Sequence, residues 1–246
     1  MYVFVYEHKV FFRDALQINQ ELEKMDNVIA IDGPSASGKS TLARNLSAAL
    51  RIPYINTGSM FRATAWAAQK RNIAWDDEQA LADMLKELTM EYRTNSEGEF
   101  ELFCDNAFPG EALRSTEIAA GASKAGTLPL VRSELKRLQQ NMNKNGWIVM
   151  EGRDIGTVIF PEAAFKFFIT ASPMERARRR LAQEGDKAGG SLEEVAAAIA
   201  ARDLQDSTRE IAPLKAADDA ELVDNSNMTY EETFNYIYNK VKNAIL

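Results

Sequence analysis

The chain has 246 residues, room for one α/β domain with insertions, and its 46% hydrophobic and 26% charged residues describe an ordinary globular protein. One cysteine, Cys104, and one histidine, His8, exclude an intramolecular disulfide framework and a Cys/His zinc site, and leave almost no scope for Ser-His-Asp or Cys-His catalysis. A formal net charge of −7 argues against a nucleic-acid partner, and no apolar run reaches the length of a membrane span, so a cytoplasmic protein is expected. A monomer is the expected state.

Residues 1–26 contain no Gly or Pro and differ in character from the rest of the chain. A short alternating apolar stretch leads into a polar, helix-like run, with neither the basic start nor the continuous apolar core of a secretory signal. They read as an upstream extension with no catalytic part, ahead of a catalytic domain over 27–246. Val28-Ile-Ala-Ile31 is a continuous apolar run, as a strand buried on both faces requires. Leu42, Leu46, Ala49 and Leu50 then mark one face of a helix. Tyr54-Ile55, Trp147 to Met150, Phe165 to Ile169 and Glu221 to Val223 are further strand candidates. Ser172-Pro-Met-Glu175, Ser191-Leu-Glu-Glu194 and Thr229-Tyr-Glu-Glu232 fit the capping box, and the last helix stacks Phe234, Ile237, Tyr238, Val241 and Ile245 on one face. Strands interleaved with helices predict a doubly wound parallel sheet of about five strands.

Two segments interrupt that rhythm. Leu81, Met84, Leu85 and Leu88 mark a short helix, followed by strand-like runs at Thr89 to Thr94 and Phe100 to Cys104 around the turn signal Asn95-Ser-Glu-Gly98. This predicts a small antiparallel insert, within an acceptor-side region of about 58–126. Gly185-Asp-Lys-Ala-Gly-Gly190 is a polar loop between two capped helices and has the composition of a lid tip, within a lid of about 176–190.

The segment Gly33-Pro34-Ser35-Ala36-Ser37-Gly38-Lys39-Ser40-Thr41 matches G-x-x-x-x-G-K-[ST] between a buried strand and a helix, the setting in which that motif works. Its glycines let the backbone wrap a phosphate, and the helix N-terminus adds partial positive charge. Lys39 would reach the β- and γ-phosphates and the Ser40 hydroxyl would ligate Mg²⁺, so the phosphates of a nucleotide are the expected ligand. There is no Asn-Lys-x-Asp guanine-reading motif, and the strand ending at Met150 runs into Glu151-Gly-Arg-Asp154 rather than a typical Walker B sequence.

Arg176, Arg179 and Arg180 share one face of a helix beside the lid loop, an arginine-only cluster in an acidic chain, and read as a lid facing transferred phosphate. Arg62, Arg132, Arg153, Arg202 and Arg209 stand singly, and one at a time each reads as a surface or capping residue.

Taken in order, the phosphate loop, Thr57-Gly-Ser-Met-Phe-Arg62, Ala122-Ser123, Pro129-Leu-Val-Arg132, Glu151-Gly-Arg-Asp-Ile-Gly-Thr157, and Arg202-Asp-x-x-Asp-x-x-Arg209 before Ala212-Pro213-Leu214 resemble the bacterial cytidylate kinases. The resemblance runs from about Asn27 to the C-terminus. It implies a P-loop NTPase-type fold, ATP-dependent phosphorylation of CMP and dCMP, and catalytic roles for Lys39, Arg153, Arg179 and Arg180, with Arg176 at the nucleotide. It implies further that Asp154 accepts from the cytosine amino group while Arg132 and Ser123 donate to the ring. Arg202 and Asp206 would then hold the ribose, and Thr57, Arg62, Arg153 and Arg209 the acceptor phosphate. The chain departs from the family at Asn56, where relatives usually carry Asp, at Thr57, where they carry Ser, and at Gln205, Ser207 and Thr208, where they are often basic. A kinase for another acceptor such as UMP, and a P-loop regulatory switch, are the alternatives.

Overall fold

A computed structural model describes residues 26–143, 146–185 and 189–246. The expected extension, apart from Asp26, and the middle of the expected lid tip lie outside the described residues. The elements in chain order are β1 (Asp26–Asp32), α1 (Lys39–Leu50), β2 (Tyr54–Asn56), α2 (Thr57–Lys70), α3 (Glu78–Glu87), β3 (Met90–Thr94), β4 (Phe100–Cys104), α4 (Thr116–Ala125), α5 (Pro129–Asn141), β5 (Ile148–Gly152), β6 (Ala163–Thr170), α6 (Pro173–Glu184), α7 (Leu192–Thr208), β7 (Glu221–Asp224) and α8 (Tyr230–Ile245).

Five strands form one parallel sheet in the order β2-β5-β1-β6-β7, as the alternation of strands and helices predicts. Successive side chains of β1 point to opposite faces. Val28 and Ala30 join the core under α2 to α5, while Ile29 and Ile31 join the core under α1 and α8. All four are fully buried, which is why this strand reads as an unbroken apolar run. The hairpin β3–β4 is antiparallel, pairing Tyr92 with Leu102, and closes on the same core as α2 to α5. Cys104 is buried there, and burial pushes its thiol up to about 12, so it packs as a small apolar residue. A third, small core of Ala177, Val195, Ala196 and Ile199 joins α6 to α7. Among the described residues no helix is long and apolar enough to cross a membrane.

Of the three expected capping boxes, those at Ser191–Glu194 and Thr229–Glu232 are complete. At Ser172 only half forms. Its hydroxyl accepts from the Glu175 N–H, but the Glu175 carboxylate is drawn to Arg178 and Arg179, and the Ser172 N–H goes to Ser226 Oγ instead. Charge-assisted partners one turn along the helix outbid the reciprocal bond.

The parallel order puts β1 between two neighbours whose connections leave on opposite sides, and ligands of such sheets sit off the carboxyl ends at that point. Gly33 occupies it with φ of 148°, and a Cβ there would stand 2.0 Å from the carbonyl oxygen of Ile169 on β6. Only backbone fits between the loop and the neighbouring strand. Gly33→Ala is expected to cost about 3 kcal/mol of stability, or to prevent folding, because both the φ angle and the contact oppose a side chain. Urea unfolding of the two proteins measures it.

Candidate active site

The phosphate loop opens α1 through Gly38, whose left-handed backbone (φ 87°) starts the helix with no side-chain cap and no acidic residue in its first turn. The helix N-terminus is therefore left to an anion. Lys39 is buried and its ammonium donates to Pro34 O at 2.8 Å, curling back over its own loop. Burial first, and then the neighbouring Arg153, lower its pKa from the ordinary lysine value to about 7. Asp32, the last residue of β1, is pushed up to about 7 by burial, although it accepts from the N–H groups of Ile155 (2.9 Å) and Gly156 (2.8 Å). Those bonds draw the Gly-Arg-Asp segment against the phosphate loop and hold the adjoining π-turn of residues Ile155–Ile159.

Glu151 ends β5 beside the loop and is buried. Its Oε2 accepts from Ser40 Oγ at 2.8 Å, and its Oε1 from Tyr54 Oη and Asn56 Nδ2, each at 2.5 Å. The sequence does not single out Glu151 as a site residue, because the pattern around it is not a typical Walker B. Its signal is still there: an acid closing an apolar strand that pairs with the P-loop strand.

The lone arginines of the sequence come together. Arg153 donates to Asp206 at 2.9 Å, Arg209 donates to Ala212 O at 2.5 Å, and Arg62 donates to Ser59 Oγ at 3.2 Å. Arg153, Asp206, Arg180 and Arg62 all act electrostatically on Arg202, which is open to solvent. Arg209 feels Arg132, Asp154, Asp206 and Arg153, and its Nη2 is buried with no hydrogen-bond partner among the described residues. Burial lowers the pKa of both Arg62 and Arg209. So many cations sharing one cleft repel one another, and a polyanion there would remove that cost.

Arg132 donates to Asp154 Oδ2 and to Gly126 O (3.0 Å), and its guanidinium lies over the Phe61 ring at 5.4 Å. Both partners of this ion pair are nearly inaccessible. Ser123 lies on α4, exposed, a short way before Gly126. Thr57 is buried at the start of α2 and donates to Glu151 O at 2.8 Å.

The lid arginines do not act alike. Arg180 neighbours Arg202 in the cleft. Arg179 is bound to Glu175, to Asn225 Oδ1 at 2.9 Å and to Asn225 O at 2.7 Å, while Asn225 Nδ2 donates to Ser37 O at 3.2 Å. Arg176, placed by its spacing among the phosphate contacts, is buried and donates to Ala171 O, to Ser35 O of the phosphate loop and to Asp203. Helical spacing sets which residues share a face, but the partner that face meets comes from α7. Nothing in the sequence marks Asn225, which lies 188 residues from Ser37.

The family model described as cytidylate kinase matches residues 29–243. A cytidylate kinase of Chlorobaculum tepidum is 41% identical over 231 residues, covering 91% of this chain and 96% of the relative. One from a Geobacillus species is 41% identical over 218 residues, and one from Streptococcus suis 38% over 218, each covering 88% of this chain and 97% of the relative. A phosphate cradle and a second cluster of cations, on a sheet of this order and in a chain this similar along almost all its length, have one reading: the chain belongs to the cytidylate kinase family of phosphotransferases.

Proposed function

We propose that the protein transfers the γ-phosphoryl group of ATP to CMP, and to dCMP, giving CDP or dCDP and ADP. The observation that carries this is the meeting of two anion sites: the loop around Lys39, and the Arg62, Arg153, Arg202 and Arg209 group with its unpartnered buried nitrogen. One site suits the triphosphate and the other an acceptor phosphate. The buried Arg132–Asp154 pair between α5 and β5 supplies donors and one strong acceptor, as cytosine requires. Uracil would set a carbonyl against the carboxylate, which is costly in a buried site. Family membership disfavours the regulatory-switch reading.

In the reaction an oxygen of the acceptor phosphate forms a bond to the γ-phosphorus as the bond to the bridging oxygen of ADP breaks, with no protein nucleophile or base. Lys39, Arg153 and Arg180 hold the reactants in line and offset the charge that spreads over the transferred oxygens. The Ser40 hydroxyl and Glu151 carboxylate, 2.8 Å apart, are the hard oxygen donors that would hold Mg²⁺. Bound there, the cation neutralises phosphate charge. The lid expected at about 176–190, part of which lies outside the described residues, would exclude water, with the acceptor side at about 58–126 and the catalytic unit over 27–246. The protein is assigned to the cytoplasm as a monomer.

An acceptor panel tests the function. With saturating ATP, ADP release should be fastest with CMP and dCMP and at least about tenfold slower with UMP; equal rates for all acceptors, or release without any acceptor, would overturn it. Asp154→Asn should narrow the preference for CMP over UMP about 100-fold in kcat/KM, since an amide can face either ring edge.

A further inference from the structure

Among the described residues β2 is an edge strand of the parallel sheet, paired only with β5. At such an edge the outward backbone groups need other partners. Those of Asn56 are met from the insert: Tyr92 of β3 accepts from the Asn56 N–H at 3.1 Å, and its hydroxyl lies 2.8 Å from Asn56 O, to which it donates. Burial raises the Tyr92 pKa above the phenol range, so the hydroxyl keeps its proton.

Asn56 is also the N-cap of α2. Its side chain accepts from the Ser59 N–H at 2.9 Å, and Ser59 Oγ in turn receives Arg62 at 3.2 Å. Thr57 is the next residue, and Tyr92 acts electrostatically on Arg62 itself. One phenol therefore fixes the strand-to-helix junction from which Thr57 and Arg62, two of the four residues given to the acceptor phosphate, project.

We propose that Tyr92 is a positioning residue for the acceptor phosphate, acting through the Asn56 peptide, so that the antiparallel insert sets the phosphate end of the acceptor site. The proposal rests on the reading of that site as the CMP site. The base end, Arg132 and Asp154, hangs on α5 and on the residues after β5, and the donor loop hangs on β1. Asn56 reaches the donor side through its side chain on Glu151, which also accepts from Ser40, whereas Tyr92 holds only the Asn56 backbone groups.

The experiment compares wild type with Tyr92→Phe, which keeps the ring packed in the insert and removes only the hydroxyl. The readouts are KM for CMP, KM for ATP, inhibition by cytidine, which lacks the phosphate, and the melting temperature. A rise in KM for CMP of about tenfold, with cytidine inhibition and KM for ATP within about twofold of wild type, is the expected result. An unchanged KM for CMP, whether or not the melting temperature falls, overturns the proposal, as does weakening of CMP, cytidine and ATP together. Failure of the underlying reading is seen separately, as a wild-type protein that does not phosphorylate CMP.

Discussion

Lys39→Met should lower kcat for CMP phosphorylation about 10³-fold while leaving the fold intact. The side chain is buried and, among the described residues, makes a single hydrogen bond, to the carbonyl of Pro34 in its own loop, so methionine can fill its volume. What would be lost is the cation that, in the proposed reaction, leaves Pro34 O for the bridging and transferred oxygens, where one preorganised donor is worth about 10²–10³ and a full charge more. A pH signature accompanies it. In the free protein, burial and Arg153 hold Lys39 near 7, and the triphosphate raises it again. The complex then binds more protons than its components above pH 7. Affinity for ATP is fully present below that value and is lost as pH rises through it, by up to about tenfold per unit. Calorimetry in two buffers of different ionisation enthalpy should show proton uptake at pH 8 in the wild type and none in Lys39→Met. A variant retaining near-normal turnover would refute the role given to this lysine.

Arg153→Ala should lower kcat/KM for CMP about 10²–10³-fold, the cost of one charged donor in a water-excluded site. Arg153 sits where the two anion sites meet. It is bonded to Asp206 at 2.9 Å, repels Arg202, and is the largest Coulombic influence lowering the Lys39 pKa. Removing it gives a second, opposite effect: with a positive neighbour gone, Lys39 in the free enzyme returns towards the ordinary lysine value. The alkaline loss of ATP affinity should then begin at higher pH than in wild type, although turnover has fallen. Arg153→Lys should restore the pH position but only part of the rate, since an ammonium keeps the charge without the two-pronged fork. A rate loss with no movement of the pH limb would separate Arg153 from Lys39 and contradict the shared cleft.

The strands and helices of the core were legible because each is a local statement. Val28 to Ile31 must be buried on both faces, Ser191–Glu194 and Thr229–Glu232 cap their helices with groups three residues apart, and the turn at Asn95–Gly98 joins strands that pair where the alternation places them. The phosphate loop is equally local, since one segment supplies its glycines, its lysine and its helix start. The acceptor residues were legible only through a family pattern: singly, Arg62, Arg132, Arg153, Arg202 and Arg209 are indistinguishable from surface arginines.

What the sequence by itself determined, then, is the parallel sheet, the antiparallel insert and a loop that binds nucleotide phosphate, all carried by patterns a few residues long. Tertiary structure decided which charges meet. It put Glu151 against Ser40, Asn225 against Ser37, and Arg176 against Ser35 and Asp203. It also hung the junction before Thr57 on a tyrosine from the insert. The physical reason is range. Capping, turn and strand preferences act through neighbouring bonds, whereas the field at Lys39 or Asp32 is set by burial and by charges far away in the chain, which only the packed sheet brings into one cleft.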